Sequence, residues 1–236
     1  MGSSRLEREL LRIWSQIKKA ALRVRLGKNW RRSPRDDGLA ERVYPDYDTY
    51  LEHQSLKLDA LRVKSIAGHD RRFHAALTER LEHGPLQLEG KSVLCLAARS
   101  GTEVRAFIDR GAFAVGVDLN PGKDNRWVVV GDFHALQYAD DSADFVYTNS
   151  LDHVYDLDRV VAEVLRVLKP GGIFLVELGL GTGEGGGAGG FYEALSWERT
   201  DELLRRIAGA GFDLRHRSPF TLPWKGVQAA LEKPAR

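Results

Sequence analysis

Short apolar segments alternate with amphipathic helical segments from residue 91 to the end of the chain. Apolar runs of about five residues, bounded by turn-forming residues, predict seven strands, at residues 91–97, 112–118, 127–130, 144–148, 173–177, 212–217 and 226–231. Apolar positions at helical spacing predict intervening helices at residues 102–110, 157–168 and 200–209. Strands that alternate with helices of this length indicate βαβ units, and therefore a mostly parallel sheet.

A helical pattern precedes this segment, over residues 39–83. Apolar residues at helical spacing predict two helices there. The first is predicted from Leu51, Leu58, Leu61 and Ile66, and the second from Phe73, Leu77 and Leu81. His83-Gly84-Pro85 is a typical end signal for the second helix. We therefore expect a helical cap at residues 38–85, in front of a sheet domain at residues 86–236.

The first 37 residues form a separate arm in this interpretation. Apolar residues recur every three or four positions within residues 5–26 and predict one apolar face of a helix. They are Leu6, Leu10, Ile13, Trp14, Ile17, Ala21 and Val24. Arginines and lysines occupy much of the remaining surface, so the helix is basic and amphipathic. Its apolar face has three candidate partners: an anionic membrane surface, the protein's own domain, or a second subunit in a homodimer.

The charge of the chain is unevenly distributed. Residues 1–35 contain eleven basic and two acidic side chains, a net charge of +9, so the rest carries −7 within a total of +2. A core with that charge repels phosphates, and we expect no nucleic acid partner. The 236 residues are 43% hydrophobic and 29% charged, which excludes collagen-like, coiled-coil and wholly disordered chains. That length suffices for one α/β domain with an appendage.

Three features of the sequence concern the location of the protein. Cys95 is the single cysteine, which excludes an intramolecular disulfide and a multi-cysteine zinc site and fits a reducing compartment. No run of about 18 apolar residues predicts a membrane-spanning helix, and no apolar secretory segment is visible. We therefore expect a cytoplasmic protein, held peripherally at the inner membrane face if the arm binds lipid.

A glycine-rich segment follows the fifth predicted strand. Residues 179–190 include eight glycines, and such a segment loses much backbone entropy when it becomes ordered. Ligands of open α/β sheets bind at the carboxyl ends of the strands, where this segment begins. It is therefore either a lid over a substrate or a flexible insertion.

Acidic side chains stand at the ends of the second and third predicted strands. Asp118 comes about twenty residues after the first strand, where a carboxylate accepts hydrogen bonds from ribose hydroxyls in nucleotide-binding βαβ units. An ordinary turn aspartate is the alternative. Asp132 and Phe133 follow the third strand, where an acid can accept from an exocyclic amine and an aromatic face can cover an adenine ring.

Four stretches resemble the core of class I S-adenosylmethionine-dependent methyltransferases, in particular the small-molecule branch called type 11. They are SVLCLAARSGTEV, GVDLNPG, GDFHALQYADDSADFVYTNSLDHV and EVLRVLKPGGIFLVEL, within about residues 90–178. The resemblance implies an α/β fold with a doubly wound, seven-stranded Rossmann-like sheet, mostly parallel with an antiparallel last strand, preceded by N-terminal helices. It also implies S-adenosylmethionine as the cofactor.

The resemblance assigns the cofactor to a group of residues at the strand ends. They are Ala97, Arg99, Gly101, Asp118, Leu119, Asp132, Phe133 and Asn149. The first loop departs from the family, which has acid-x-Gly-x-Gly-x-Gly where this chain has Cys95, Ala97, Arg99 and Gly101. Ala97 is a mild change if its backbone angle is ordinary. Arg99 places a cation beside the methionine moiety, where it either pairs with the cofactor's carboxylate or repels the sulfonium.

Methyl transfer from a sulfonium requires an aligned acceptor and, for a hydroxyl acceptor, a base. His153 and Asp152, after the fourth strand, are the candidate catalytic residues, since an imidazole ordinarily titrates near neutrality. Each is alternatively a turn or helix-cap residue. We expect no metal, because nothing in the spacing of Asp152, His153 and Glu177 requires one.

Further polar residues are candidates for binding the substrate. His53 and Lys57 are four residues apart and share a predicted helix face, with Gln54 beside them. In the family, helices before the core often cover the cofactor, so these groups, with Tyr47 or Tyr50, are expected at its methionine end or at the acceptor. A solvated helix face is the alternative. Another candidate for contacting the substrate is Glu177, the residue that ends the fifth strand.

We therefore predict an S-adenosylmethionine-dependent methyltransferase that acts on a small molecule or glycan, with O-methylation as the expected reaction. A nicotinamide-dependent oxidoreductase needs Gly-x-Gly-x-x-Gly after the first strand, which residues 97–101 do not supply. The alternative is a non-catalytic, membrane-associated binding protein on a degenerate methyltransferase fold, which the basic arm and Arg99 favour. If the arm binds membranes, a lipid-linked sugar or polysaccharide precursor is the acceptor that we expect.

Overall fold

The computed structural model describes residues 5–27, 29–56, 60–187 and 189–235, except for the side chains of residues 5–8, 11, 12, 15 and 60–67. The α-helices in these ranges are α1 (Arg5–Leu26), α2 (Tyr47–Ser55), α3 (Ala60–His83), α4 (Thr102–Asp109), α5 (Leu157–Val167) and α6 (Thr200–Ala208). The strands are β1 (Trp30–Arg32), β2 (Leu39–Arg42), β3 (Ser92–Leu96), β4 (Phe113–Asp118), β5 (Val128–Val130), β6 (Ala143–Thr148), β7 (Leu168–Gly179), β8 (Leu195–Trp197), β9 (Asp213–Phe220) and β10 (Gly226–Glu232). Short 3-10 turns occur at Leu151–His153 and Thr182–Glu184.

Seven strands form one sheet in the order β5-β4-β3-β6-β7-β10-β9. The five strands β3 to β7 are mutually parallel, whereas β10 runs antiparallel to both of its neighbours, β7 and β9. Each predicted strand corresponds to one strand of this sheet. The predicted fold class is therefore confirmed, including the reversed last strand.

Helices cover both faces of the sheet, which explains the apolar strands. On β3, Leu94 and Leu96 belong to a core cluster with side chains of α5 and α6, whereas Val93 and Cys95 belong to a cluster with side chains of α3 and α4. Successive side chains of a strand point to opposite faces. A strand that is buried on both faces is therefore a continuous apolar run in the sequence.

A second, antiparallel sheet, in the order β1-β2-β8, has no counterpart in the sequence prediction. Its strands have three or four residues, too few to show an alternating pattern, and β1 is the polar sequence Trp-Arg-Arg. β2 opens the segment interpreted as helical, and β8 follows the glycine-rich segment. This small sheet joins the neighbouring strands β1 and β2 to β8, which lies far later in the sequence.

The helices of the cap differ from those predicted. α2 ends at Ser55 and α3 begins at Ala60, so the single helix expected over residues 51–66 is two helices. Residues 57–59 lie outside the described ranges. α3 ends at His83, where the sequence predicts an end. The division of the chain into arm, cap and core stays a prediction.

α1 has the predicted bounds, but the domain does not cover its apolar face. Large apolar side chains on that face are between 53% and 59% exposed: Leu10, Ile13, Trp14 and Ile17. The helix is held by the other side of its last turns, where Leu22 and Leu26 are buried in a cluster with Tyr44 and Tyr50. None of the helices in the described ranges is long and apolar enough to cross a bilayer.

A buried ion pair connects α3 to the main sheet. The carboxylate of Glu177, on β7, accepts hydrogen bonds from Arg80 Nε at 2.7 Å and Arg80 Nη2 at 2.8 Å. It also accepts one from Tyr147 Oη at 3.0 Å and one from Gln228 Nε2 at 2.8 Å. The side chain of Glu177 is fully buried and that of Arg80 is 14% exposed, so each charge depends on the other for compensation.

We predict that the substitution Glu177→Gln lowers the free energy of unfolding by about 3 kcal/mol, because it leaves the Arg80 guanidinium buried without a counter-charge. The matched control is Glu232→Gln, which removes the exposed pair with Arg215 and is expected to cost less than about 1 kcal/mol. Urea denaturation at neutral pH measures both. Equal effects of the two substitutions would contradict this account of Glu177.

Candidate functional site

The carboxyl ends of the parallel strands surround a cleft, here called the Asp118 cleft. Its lining residues come from α2, from the loops after β3, β4 and β5, and from the turn after β6. They are Tyr50, Gln54, Ala97, Arg99, Val117, Asp118, Leu119, Asn120, Gly131, Phe133, Ser150 and His153. The structure thus brings together five of the predicted cofactor residues: Ala97, Arg99, Asp118, Leu119 and Phe133. The other three, Gly101, Asp132 and Asn149, do not line this cleft.

The loop after β3 adopts conformations that glycine favours, although it lacks two glycines of the family pattern. Ala97, Arg99 and Gly101 have φ angles of +54°, +46° and +76°. A left-handed conformation costs a residue with a Cβ about 1–2 kcal/mol. The expectation that Ala97 is a mild change required an ordinary backbone angle and is therefore wrong, because the loop is strained at this position.

Gly101 is required by its neighbours as well as by its backbone angle. A Cβ at this position would lie 2.6 Å from Trp127 Cβ, closer than real side chains approach. Gly101 is also the N-cap residue of α4. In place of the predicted contact with the cofactor, the structure gives Gly101 the role of turning the loop into α4.

Asp118, the last residue of β4, holds the loop and lines the cleft. Its Oδ2 accepts a hydrogen bond from Arg99 N at 2.9 Å, and its Oδ1 accepts one from Asn120 N at 2.8 Å. Each oxygen of a carboxylate has about two lone-pair sites, so each retains the capacity for one more donor. A ligand with two adjacent hydroxyl groups is the natural complement of this arrangement.

The carboxylate of Asp132 is hydrogen-bonded to other residues of the protein. Its Oδ1 accepts hydrogen bonds from His134 N at 2.8 Å and from His134 Nδ1 at 2.9 Å, while its Oδ2 accepts one from the Tyr47 hydroxyl. Burial alone would raise the pKa of Asp132, but these hydrogen bonds bring it below its ordinary value. The expected bond to an exocyclic amine is therefore not supported, because the carboxylate holds α2 through Tyr47. Phe133, beside it, is 5% exposed and does line the cleft.

A buried acid that the sequence analysis did not single out lies in the first turn of α4. Glu103 is 5% exposed, and burial raises its pKa to about 8, although the charge of Arg99 opposes the shift. The carboxyl group therefore keeps its proton at neutral pH. Cys95, on β3, is fully buried, and burial raises the pKa of its thiol, as its position in the middle of a strand predicts.

The turn after β6 carries both candidate catalytic residues. His153 lines the Asp118 cleft, and its Nδ1 lies 2.9 Å from Tyr192 O. A carbonyl oxygen accepts hydrogen bonds and cannot donate them, so Nδ1 carries the ring hydrogen and Nε2 of the neutral ring holds the lone pair. Asp152 Oδ2 lies 3.5 Å from this Nε2, where a carboxylate stabilises a protonated imidazole. The pair is therefore able to receive a proton.

A second cavity, here called the Glu193 chamber, adjoins the same turn. It is lined by Asn149, Asp152, Glu177, Gly179, Leu180, Gly181, Gly187, Gly189, Glu193, Leu195, Ser196, Trp197 and Trp224. Asn149 and Asp152 line the chamber, whereas Ser150 and His153 line the Asp118 cleft. The turn thus borders both cavities, and Asn149, predicted as a cofactor contact, lies on the chamber side.

The walls of the Glu193 chamber are acidic. Glu193 Oε2 is buried and has no hydrogen-bond partner among the described residues. Glu177 also belongs to the wall, but its carboxylate is occupied by four hydrogen bonds, which contradicts its expected use for binding a substrate. No lysine or arginine is found among the described residues that line the chamber. In the same described ranges, no group of three His, Cys, Asp or Glu side chains is arranged as a metal site.

The glycine-rich segment covers the Glu193 chamber and is fixed near both of its ends. Glu184 accepts hydrogen bonds from two backbone N–H groups, at 2.9 and 2.8 Å. The side chain of Arg42 donates to the carbonyl oxygens of Gly190 and Glu193, at 2.8 and 2.9 Å. Two glycines between these anchors line the chamber. The segment is therefore a cover of this cavity and not an insertion that points away from it.

The candidate residues of the cap have different surroundings. His53 is fully buried, with its Nδ1 2.9 Å from Tyr44 Oη, and burial lowers its pKa to about 4. It lines neither cavity, so the structure makes it a core residue and contradicts its expected role. Gln54 does line the Asp118 cleft and donates to Tyr192 O at 2.9 Å. Lys57 lies outside the described residues.

Several residues of the site were not predicted from the sequence pattern. Ser150 lines the Asp118 cleft, Glu193 lines the chamber, and Arg42 fixes the cover. Arg42 lies in a strand too short to recognise. The one signal for Glu193 is its position directly after the glycine-rich segment.

We predict that the substitution Ala97→Gly raises the free energy of unfolding by about 1 kcal/mol, because glycine adopts a positive φ without steric cost. The matched control is Ala98→Gly, at the neighbouring position, which is fully buried and has no positive φ. It loses a buried methyl group and gains freedom in the unfolded chain, so it is expected to lower stability by about 1 kcal/mol. Urea denaturation measures the free energy of unfolding of both variants. A lower value for Ala97→Gly than for the unmodified protein would contradict the backbone strain at this position.

A family model for a methyltransferase domain matches residues 94–176 of this chain. The matched segment runs from β3 into β7 and includes Asp118, Phe133 and His153. The match therefore covers the strand ends that form most of the Asp118 cleft.

Curated relatives are similar to a part of this chain. The demethylmenaquinone methyltransferase of Thermobifida fusca is 38% identical over 101 residues, which are 37% of this chain and 43% of that protein. Across the first such relatives, the chain spans between about a fifth and about half of their length. The similarity thus covers a part of each protein and does not establish the activity of the whole.

Solved structures share the fold at lower identity. The 1,6-didemethyltoxoflavin-N1-methyltransferase of Burkholderia thailandensis, solved with S-adenosylhomocysteine, has a TM-score of 0.61 and 17% identity and covers 87% of this chain and 99% of its own. The [4+2]-cyclase SpnF has a TM-score of 0.56 and 18% identity and covers 71% and 81%. Such likeness establishes the fold alone. With the family match at residues 94–176, the resemblance seen in the sequence is confirmed for this segment: it is a methyltransferase domain of type 11, within a sheet of the class I methyltransferase fold.

Proposed function

We propose that this protein transfers a methyl group from S-adenosylmethionine to a hydroxyl group of a small molecule or glycan. The observation that carries the proposal is the placement of Asp118. Its carboxylate lines the cleft at the end of β4 and keeps one acceptor site on each oxygen, which matches the two hydroxyls of a ribose. The family of the domain supports the same cofactor.

The residues of the Asp118 cleft fit this cofactor. Asp118 would hold the ribose, and Phe133 and Leu119 would bound the adenine ring. Arg99 would pair with the carboxylate of the methionine moiety, because a guanidinium fork matches a carboxylate. Glu103, beneath the loop, is buried and its pKa is raised to about 8, so at neutral pH it does not compete with a ligand's carboxylate for the Arg99 guanidinium.

His153 and Asp152 are placed to serve a hydroxyl acceptor. The bound cofactor supplies a methyl group on a sulfonium, which is already a good leaving group. A hydroxyl acceptor at this position would give its proton to His153 Nε2. Asp152, 3.5 Å from Nε2, stabilises the positive charge on the ring. The protein therefore contributes alignment and proton removal.

The Glu193 chamber favours an uncharged acceptor rich in hydroxyl groups. The Asp152 carboxylate on its wall can accept hydrogen bonds from hydroxyls, and Glu193 Oε2 has no hydrogen-bond partner among the described residues. Trp197 and Trp224 offer apolar faces on which a ring can pack. An acceptor with a free carboxylate or phosphate would meet these acids without a basic lining residue to balance them. These features support a sugar-like or phenolic ring over an anionic acceptor.

A non-catalytic binding protein on a degenerate methyltransferase fold is the second candidate. The missing glycines and the cation at Arg99 favour it. The [4+2]-cyclase SpnF has a similar fold, and a fold by itself does not determine a reaction. Cofactor binding separates the two candidates.

We predict that the protein binds S-adenosylmethionine with a dissociation constant in the micromolar range, about −8 kcal/mol. Asp118→Asn is expected to weaken binding by about tenfold or more, because a charged acceptor is lost. The control Asp124→Asn changes an exposed acid in the following loop and should leave affinity unchanged. Isothermal titration calorimetry measures all three proteins. Absence of heat with the unmodified protein at millimolar cofactor would reject the enzymatic function.

We predict that His153→Asn lowers methyl transfer by about 10²-fold or more, while the affinity for S-adenosylmethionine stays within about threefold. Asparagine retains a donor for Tyr192 O but lacks the Nε2 base. The assay follows radiolabelled methyl groups from S-adenosylmethionine into polar metabolite and glycan extracts of the source cells. Undiminished incorporation by His153→Asn would show that this residue is not the base, without affecting the assignment of the cofactor cleft.

A further inference from the structure

The apolar face of α1 is exposed along its first turns. We call the four side chains Leu10, Ile13, Trp14 and Ile17 the α1 stripe, and each is more than half exposed. The steps of three and four residues place them on one side of the helix. Leu22 and Leu26, on the other side, anchor the helix to the domain. A folded, anchored helix therefore presents an apolar surface away from the core.

A basic side chain borders this stripe. Lys18 is exposed, and its Nζ is 5.7 Å from the centre of the Trp14 ring. The arm as a whole has a net charge of +9 at residues 1–35. An apolar stripe that contains tryptophan, on a helix rich in lysine and arginine, is suited to the boundary between lipid headgroups and acyl chains.

We propose that α1 docks the protein on an anionic lipid bilayer, with the α1 stripe inserted at the headgroup level. The net positive charge of the arm complements anionic headgroups. A second copy is a poorer occupant, because packing stripe against stripe brings together two arms that each carry +9. Charge complementarity therefore selects the bilayer over the homodimer.

A third cavity lies between the base of α1 and the Glu193 chamber. It is lined by Arg23, in the last turns of α1, and by Arg42, and their guanidinium carbons lie 4.8 Å from the ring centres of Phe191 and Trp30, respectively. Gly189 and Ser196 line both this cavity and the Glu193 chamber. An amphiphile held at the membrane beside α1 would thus have a route toward Asp152 along these two cation–π pairs, here called the passage.

The passage deepens the proposed function and rests on it. An acceptor delivered along this route combines an apolar tail with the hydroxyl-bearing ring that the chamber favours. The acceptor class is accordingly an amphiphile with a polar, uncharged head, presented at an anionic membrane surface. Docking itself depends on α1 alone and is testable whether or not methyl transfer occurs.

The test is flotation of the full chain with vesicles of phosphatidylcholine, with and without about 30% phosphatidylglycerol. We expect about tenfold more bound protein on the anionic vesicles, and loss of that excess at high salt, since screening weakens surface electrostatics. The double variant Ile13→Gln/Trp14→Gln should lose about tenfold of the binding. Phe113→Gln, which removes a 76% exposed aromatic ring on β4, is the matched control and should bind as the unmodified protein does.

Two results would overturn the docking proposal. One is equal flotation of the Ile13→Gln/Trp14→Gln variant, and the other is a dimer, detected by light scattering, that this variant dissociates and that does not bind vesicles. Calorimetry with S-adenosylmethionine on the same variant keeps the two proposals apart. Unchanged cofactor binding together with lost flotation supports a docking role for α1. Flotation without any cofactor binding would retain the docking and reject the enzyme.

Discussion

The hydrogen bond from Arg99 N to the carboxylate of Asp118 is the contact on which the site depends. The loop after β3 contains two residues with a Cβ in left-handed conformations, which cost energy and persist only where surrounding structure fixes them. Asp118, at the end of the neighbouring strand, supplies a charged acceptor 2.9 Å from the loop backbone. The same carboxylate lines the cleft, so the group that fixes the loop is also the group offered to a ligand. The shape of the cleft and its chemistry therefore depend on one side chain.

The positions of the strands could be predicted from the sequence, because a strand that is buried on both faces is a continuous run of apolar residues. β3 and β6 are apolar along nearly their whole length, and the sequence shows this without knowledge of any partner. The beginning of β7 was not predictable in the same way. Leu168, predicted as the last residue of a helix, and residues 169–172, which lie between that helix and the predicted strand, all belong to β7. Gly172 lies so close to the backbone of Lys169 and Asp144 that a Cβ would crowd both. That proximity is set by tertiary packing, and a Pro-Gly-Gly sequence reads locally as a turn.

In the site, too, the sequence predicted where a residue lies in the fold but not which side chain it binds. The sequence places Asp132 correctly after β5, but the tyrosine that binds its carboxylate is 85 residues away on α2. Glu177 is likewise placed correctly at the end region of β7, and its arginine is 97 residues away on α3. The position of an acid at the end of a predicted strand indicates that it lies at the edge of the sheet. Whether the acid faces a ligand or a distant side chain is decided by helices whose packing the sequence pattern does not specify.

The side chain of Arg42 contacts both the end of α1 and the wall of the Glu193 chamber. Its guanidinium donates to Gly27 O at the end of α1, to Gly190 O in the cover, and to Glu193 O at the chamber wall. Arg42 is 6% exposed, so these three bonds lie within the protein and are costly to leave unmade. A displacement of α1 relative to the core must therefore either move the cover with it or break a buried hydrogen bond. A helix held by a membrane would restrain the cover through this residue, and the position of the arm is mechanically connected to the cavity where the acceptor would lie.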